Sequence, residues 1–269
     1  MESLSNAPVP RRSNSLTQPA SATSSGKGPR PAPDGADSPA RAGERGRRVF
    51  EPLGTEEERE KKARSAHRGE PPRIGVLALQ GDYAAHAAAL EEAGAEGCEV
   101  RTAEQLASVD GLVLPGGEST TMLRFLESRG LFGALQEFCG RRPVFGTCAG
   151  AILLAREVVR PPQRSLGVLD AVVERNAYGR QIDSSIVTAP SALPGGPLEM
   201  VFIRAPRFTC IGPDVQALAT RDGAPTLVRQ GLLLAATFHP ELSQDRRIHR
   251  LFVEIVTESK QQRIQNNQK

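Results

Sequence analysis

Tryptophan is absent from the 269 residues and tyrosine occurs twice, which leaves little flat aromatic surface on which nucleic-acid bases could stack. A basic footprint is also missing where it would matter. The chain has a net charge of +3, but residues 1–70 carry 13 Lys and Arg against 10 Asp and Glu, and residues 71–269 carry 21 against 21. The part able to fold is neutral and offers no excess of positive charge to a phosphate backbone. Cysteine is scarce. Cys98, Cys139, Cys148 and Cys210 show no C-x-x-C spacing, so neither a cysteine zinc site nor a disulfide framework is expected, and a reducing cytoplasm fits best. No run approaches the ~18–20 apolar residues of a membrane span, and the first residues lack the apolar segment of a secretory signal.

Large apolar side chains are scarce from Met1 to about Glu70, a stretch rich in Ser, Pro, Gly, Ala and Arg. Such a segment buries too little apolar surface to offset its ordering entropy. Residues 1–70 are therefore read as a disordered extension, with a transient charged helix over Glu56–Arg68. The Arg and Ser content resembles a transit peptide, but Asp34, Asp37, Glu44 and the Glu56–Glu58 run argue against one. Pro71-Pro72 marks the boundary. Residues 71–260 suit one α/β domain, and 261–269 read as a polar tail.

Within the domain, Ile74–Leu79 is a continuous apolar run of the kind found in buried parallel strands. Tyr83–Ala93 has helical spacing, with Gly94 as its stop. Short strands are expected at Glu99–Arg101, Leu112–Leu114 and Pro143–Gly146. Helices are expected at Thr120–Ser128, Leu131–Cys139 and Ala149–Val159. The second half reads as strands at Val168–Glu174, Ile182–Val187, Met200–Ile203, Val215–Ala219, Thr226–Arg229 and Leu232–Phe238, then an amphipathic helix at Arg246–Ser259. Strands alternating with helices, with a β-rich insertion, predict an open, mostly parallel sheet flanked by helices, of the flavodoxin-like kind.

Three local patterns carry chemistry. Gly146-Thr147-Cys148-Ala149-Gly150 follows a strand and opens a helix, the cysteine form of a nucleophile elbow. A helix N-terminus favours the thiolate there. By itself the pattern also suits a buried structural cysteine; Cys98, Cys139 and Cys210 are read as ordinary core or half-buried thiols. His239-Pro240-Glu241 ends another strand. Residues at i and i+2 in extended chain face the same side, so Glu241 can orient an imidazole that faces Cys148. A surface His before a helix capped by Ser243 is the alternative. His86 and His249 are placed on helices and His67 in the extension, each structural or solvated. Leu114-Pro115-Gly116-Gly117-Glu118-Ser119-Thr120-Thr121 supplies backbone amides for an oxyanion, Ala149 giving the second donor. A phosphate loop competes with this, without the Walker lysine, as does a plain loop with Ser119 as helix N-cap. Acyl transfer through a thioester is the chemistry these parts suit.

Together these motifs resemble the class I glutamine amidotransferases, and within them the family of glutaminase subunits of pyridoxal 5′-phosphate synthases. The narrower likeness rests on Leu79-Gln80-Gly81, Pro115–Met122, Glu174-Arg175-Asn176-Ala177-Tyr178-Gly179-Arg180-Gln181 and Phe202-Ile203-Arg204-Ala205-Pro206, and extends over about Arg73–Glu258. It implies hydrolysis of L-glutamine to glutamate and ammonia, with ammonia passed to a barrel-shaped synthase subunit in a hetero-oligomer. It implies a Cys148–His239–Glu241 triad, an oxyanion site at Gly117 and Ala149, and a glutamine site lined by Gly117, Glu118, Ser119, Arg175, Ile203 and Arg204. An arginine suits the α-carboxylate of glutamine. No metal and no cofactor are expected, and Gln80-Gly81 is expected near the synthase interface. A non-catalytic assembly subunit, a glutaminase serving another synthase, and a cysteine peptidase or esterase remain as alternatives.

Overall fold

A computed structural model describes residues 70–177 and 184–268. The expected disorder of residues 1–70 and helix at Glu56–Arg68, the placement of His67, and the run Tyr178–Gln181 lie outside those residues, save Glu70. The described chain is a three-layer α/β fold. Its seven-stranded sheet has the order β10-β11-β12-β4-β3-β1-β2. In it β1 is Arg73–Leu77, β2 Glu96–Val100, β3 Gly111–Leu114, β4 Val144–Thr147, β10 Gln216–Arg221, β11 Ala224–Gln230 and β12 Leu233–Ala236. The pairs from β12 through β4, β3 and β1 to β2 are parallel; β10–β11 and β11–β12 are antiparallel.

The apolar runs that read as buried strands divide their side chains between two cores. Val113, Phe145, Leu234 and Ala236 face one; Leu112, Leu114, Val144, Leu233 and Ala235 face the other. Alternation along each strand produces this split, and helices cover both faces. The first core is closed by α1 (Tyr83–Glu92) and α6 (Arg247–Asn267), which contribute Leu90, Ile248, Phe252 and Val256. The second is closed by α3 (Ser119–Ser128), α4 (Leu131–Cys139) and α5 (Ala149–Leu154), which contribute Met122, Leu126, Leu135 and Leu153. A short α2 spans Ala103–Ala107. A second sheet, β5-β6-β9 (Ala155–Val159, Leu169–Glu174, Arg207–Ile211), and a hairpin, β7-β8 (Ser184–Ala189, Leu198–Ile203), complete the β-rich half.

Gly94 ends α1 with φ +92, and Gly130, in the left-handed region, separates α3 from α4 as expected. Several expectations change. The helix over Ala149–Val159 stops at Leu154. Ala155 turns to ψ 147, and Ala155–Val159 pairs in parallel with β6, burying Ala155 and Val158. Tertiary pairing of a segment ending in two valines outweighs its local helix propensity. Strand β9 was not expected; of its five residues only Phe208 is buried, too faint an alternation to read. Helix α2 was also missed, although Thr102 and Gln105 form a capping box. Helix α6 runs to Asn267, so its last turns pass through the stretch read as a polar tail. Cys139 is buried and Cys98 partly so, but Cys210 is exposed, contrary to expectation.

Candidate active site

Three adjacent parallel strands bring the site together. Strand β4 lies between β12 and β3, with Thr147 opposite Ala236 and Gly146 opposite Leu114. The segments leaving the carboxyl ends of these strands emerge side by side, the usual location of a ligand site in an open α/β sheet. After β4 comes Cys148, after β12 the segment Thr237–His239, and after β3 the Gly116–Gly117 loop.

Cys148 has φ 46 and ψ −99, a conformation an L-residue adopts only when its surroundings enforce it. Its amide donates to Ala236 O at 2.8 Å. Gly146 and Gly150 allow the turn: a Cβ on Gly146 would lie 2.6 Å from the carbonyl carbon of Gly150, and one on Gly150 would strike the Leu114 carbonyl. The Cys148 thiol is buried and approaches Ile203 O at 4.0 Å. Ala149 begins α5, and first-turn amides have no partner within their own helix.

His239 follows β12, anchored by its amide to Val201 O at 2.8 Å, and begins the 3-10 turn Pro240–Leu242. Its Nδ1 is 2.7 Å from Glu241 Oε1, and the Glu241 side chain is fully buried. Burial opposes a charged ring at His239. Hydrogen bonding to Cys148 and Glu241, and their negative charge, outweigh it and raise the pKa to about 10. Burial likewise opposes the Glu241 carboxylate, but the facing His86 and His239 hold its pKa below the usual glutamate value. Ser243 does not cap α6. Its hydroxyl accepts from Asp245 N at 3.0 Å, and Arg246 stands at the cap, its side chain making no capping bond to the helix.

The Gly116–Gly117 loop presses against His239. A Cβ on Gly116 would lie 2.9 Å from His239 Nδ1 and closer still to Cε1. Gly117 has φ +145. Glu118, not Ser119, caps α3. Its carboxylate accepts from Thr120 N at 3.1 Å, Thr121 N at 2.6 Å and Thr121 Oγ1 at 2.7 Å. Partial burial opposes the charge, but these hydrogen bonds outweigh it and lower the pKa to about 2. Arg175 Nη2 reaches Glu118 Oε1 at 3.3 Å. The buried Ser119 hydroxyl donates to Gln163 Oε1 at 2.8 Å, a contact no sequence pattern signalled. Ile203 ends β8 beside Cys148, and Arg204 follows it, exposed, at φ 46. Gln80 lies against the loop: its Cδ is 3.6 Å from where a Gly117 Cβ would stand, so this residue, expected at an interface, borders the site.

His86 and His249 are not solvated. Both are fully buried behind Cys148, His239 and Glu241, in contact with each other, and His86 also reaches Thr147 and Glu241. Their helical positions, one per helix, gave no sign of this, because the contact joins residues 163 positions apart.

A thiol in a strained elbow, an imidazole held by a buried carboxylate, and glycine-loop amides are the parts of a nucleophilic acyl-transfer site. The family model for SNO glutamine amidotransferases matches residues 76–258. The chain belongs to that family. A pyridoxal 5′-phosphate synthase subunit PdxT from Koribacter versatilis is 57% identical over 184 residues, covering 68% of this chain and 95% of the relative. The protein of the same name from Frankia alni is 55% identical over 192 residues, covering 70% and 96%. A crystal structure of a glutamine amidotransferase superposes with a TM-score of 0.64 at 46% identity, covering 68% of this chain and 98% of that one. The structure of PurLQS from Thermotoga maritima, at 17% identity and a TM-score of 0.52, shares the fold over 73% of this chain and 100% of that one.

Proposed function

We propose that this amidotransferase hydrolyses L-glutamine to L-glutamate and ammonia and delivers the ammonia to a pyridoxal 5′-phosphate synthase subunit. The observation that carries the reading is the strained Cys148 beside a buried His239–Glu241 pair. The relatives named as pyridoxal 5′-phosphate synthase subunits support the partner.

In the proposed reaction, the Cys148 thiolate, paired with the protonated His239, bonds through sulfur to the carboxamide carbon of glutamine as the carbonyl electron pair moves to oxygen. The amides of Gly117 and Ala149 receive the oxyanion, each donor contributing about 2.7–4 kcal/mol to lowering the barrier. The C–N bond breaks as His239, oriented by Glu241, gives its proton to the leaving nitrogen, releasing ammonia. Water, deprotonated by His239, then attacks the thioester; the C–S bond breaks, glutamate leaves and the thiolate–imidazolium pair is regenerated. Side chains and backbone supply every step, with no cofactor. Glu118, ionised at all ordinary pH values, suits the α-ammonium of the substrate, and Arg175 and Arg204 suit its α-carboxylate. Ser119 and Ile203 border the same space. No described helix is long and apolar enough to cross a membrane, and the four cysteines are unpaired, which supports a reducing cytoplasm.

The test is glutamate release from glutamine with and without a pyridoxal 5′-phosphate synthase subunit. Stimulation by that subunit, abolished in Cys148→Ala, is the expected result. Full activity in Cys148→Ala would end the proposed mechanism, and equal rates with and without the subunit would point to another acceptor.

A further inference from the structure

Behind the triad lies a buried chain of polar groups that the reaction above does not use. Glu241 Oε1 is taken by His239, and Oε2, with no aligned hydrogen-bond partner, points back into the protein. His86, on α1, places Nε2 3.3 Å from this oxygen and 3.1 Å from Thr147 Oγ1. On its other side, Nδ1 is 3.2 Å from His249 Nε2, on α6. The rings pack edge-on against Phe145, at 6.2 and 6.0 Å. His86, Thr147 and His249 are fully buried.

The partners fix where the protons sit. A carboxylate only accepts, so the nitrogen facing Glu241 is the one that bears hydrogen. With Nε2–H on a neutral His86, Nδ1 is the acceptor, and His249 must donate to it from Nε2. His249 Nδ1 is then bare, and it is the atom with no partner. The reverse arrangement would aim a lone pair at the carboxylate and bury an N–H at His249 Nδ1 without an acceptor, which is the costlier orphan. Burial lowers the pKa of both rings, His249 to about 3, so both are neutral at pH 7.

We infer that His86 is a positioning residue for the proposed reaction: its Nε2–H, bonded to Thr147 and 3.3 Å from the far oxygen of Glu241, holds that oxygen by electrostatic attraction so that the near one stays on His239. Thr147 directly precedes the nucleophile, so the same N–H ties the orienting carboxylate to the elbow strand. His249 holds His86 in the required tautomer. The inference rests on the glutaminase reading, but its geometry can be tested apart from it. The titratable groups facing His86 are Asp82 before its own helix, Glu241 and His239 from the 3-10 turn, and His249 from α6; Arg246 acts on His249.

His86→Leu keeps the volume and removes the donor. The expected result is a kcat lowered about 10-fold or more with KM for glutamine little changed. The alkaline limb of the rate, and of Cys148 alkylation by iodoacetamide, should move to lower pH, because a less supported carboxylate supports the His239 cation less. His86→Gln, which returns an N–H at nearly the same reach, should restore most of the rate. A folded His86→Leu protein with wild-type kcat and pH limbs would overturn the inference, as would His86→Gln as slow as His86→Leu. If His86→Leu does not fold, the ring nitrogen-15 spectrum of the wild-type protein decides: protonated Nε2 on both buried rings supports the chain, and Nδ1–H on His86 refutes it. Wild-type protein that releases no glutamate with the synthase subunit would instead refute the glutaminase reading, while alkylation and tautomer still test His86.

Discussion

Gly116→Ala is a perturbation of one methyl group whose effect can be worked out from the structure. Gly116 does not have a positive φ, so alanine adopts its backbone without strain and the effect is steric. The new Cβ would stand 2.9 Å from His239 Nδ1, and closer to Cε1, where ordinary contact begins at 3.4 Å. The ring therefore has to retreat by roughly an ångström, or the loop does. Either movement separates His239, the Cys148 thiol and the amides proposed to receive the oxyanion, and a misplacement of about 1 Å costs on the order of 100-fold in rate. If the ring moves, the 2.7 Å bond to buried Glu241 is also strained, costing about 1–3 kcal/mol if it is lost. That corresponds to roughly 2–4 °C in Tm per kcal/mol for a domain of this size. The assay is steady-state glutamate release with the synthase subunit, alongside thermal melting. A folded Gly116→Ala protein with wild-type kcat would refute the argument that this loop fixes the His239 ring.

Stability should fall in mild acid. The folded pKa values of His86 and His249 lie below the unfolded value of 6.5, His249 at about 3. Above pH 6.5 neither contributes; as pH falls from 6.5 toward 3 the unfolded chain binds protons that the buried rings cannot, and stability drops by up to about 1.4 kcal/mol per pH unit for each ring. The depressed Glu241 contributes stability above the unfolded value of 4.5 that is lost at lower pH, whereas the raised pKa of His239 contributes stability that is complete below 6.5 and lost through pH 10. Denaturant melts between pH 7 and 5 check this: the slope should be shallower in His249→Gln, and an unchanged slope would contradict it. Arg175→Lys keeps the charge but not the planar fork, and should raise KM for glutamine several-fold with kcat nearly intact; a pure kcat loss would argue against substrate binding by Arg175.

The local structure around the candidate site was legible in the sequence. Strand, elbow and helix around Cys148, the glycine pair after β3, and the His-x-Glu pair after β12 are short-range patterns, written in consecutive residues because turns and strand ends are local structures. The alternation of apolar runs with helical spacing specified the mostly parallel sheet for the same reason. What the sequence did not reveal depends mostly on partners farther along the chain. Ala155–Val159 is a strand because β6 lies beside it. The cap of α3 is a local exception: Glu118 and Ser119 both suit the position, and the longer Glu118 side chain folds back on the Thr120 and Thr121 amides. His86 and His249 each look like one polar residue on a helix. Only the packing of α1 and α6 on the same face of β4 brings their rings together behind Glu241, out of water, where a single N–H has one workable direction.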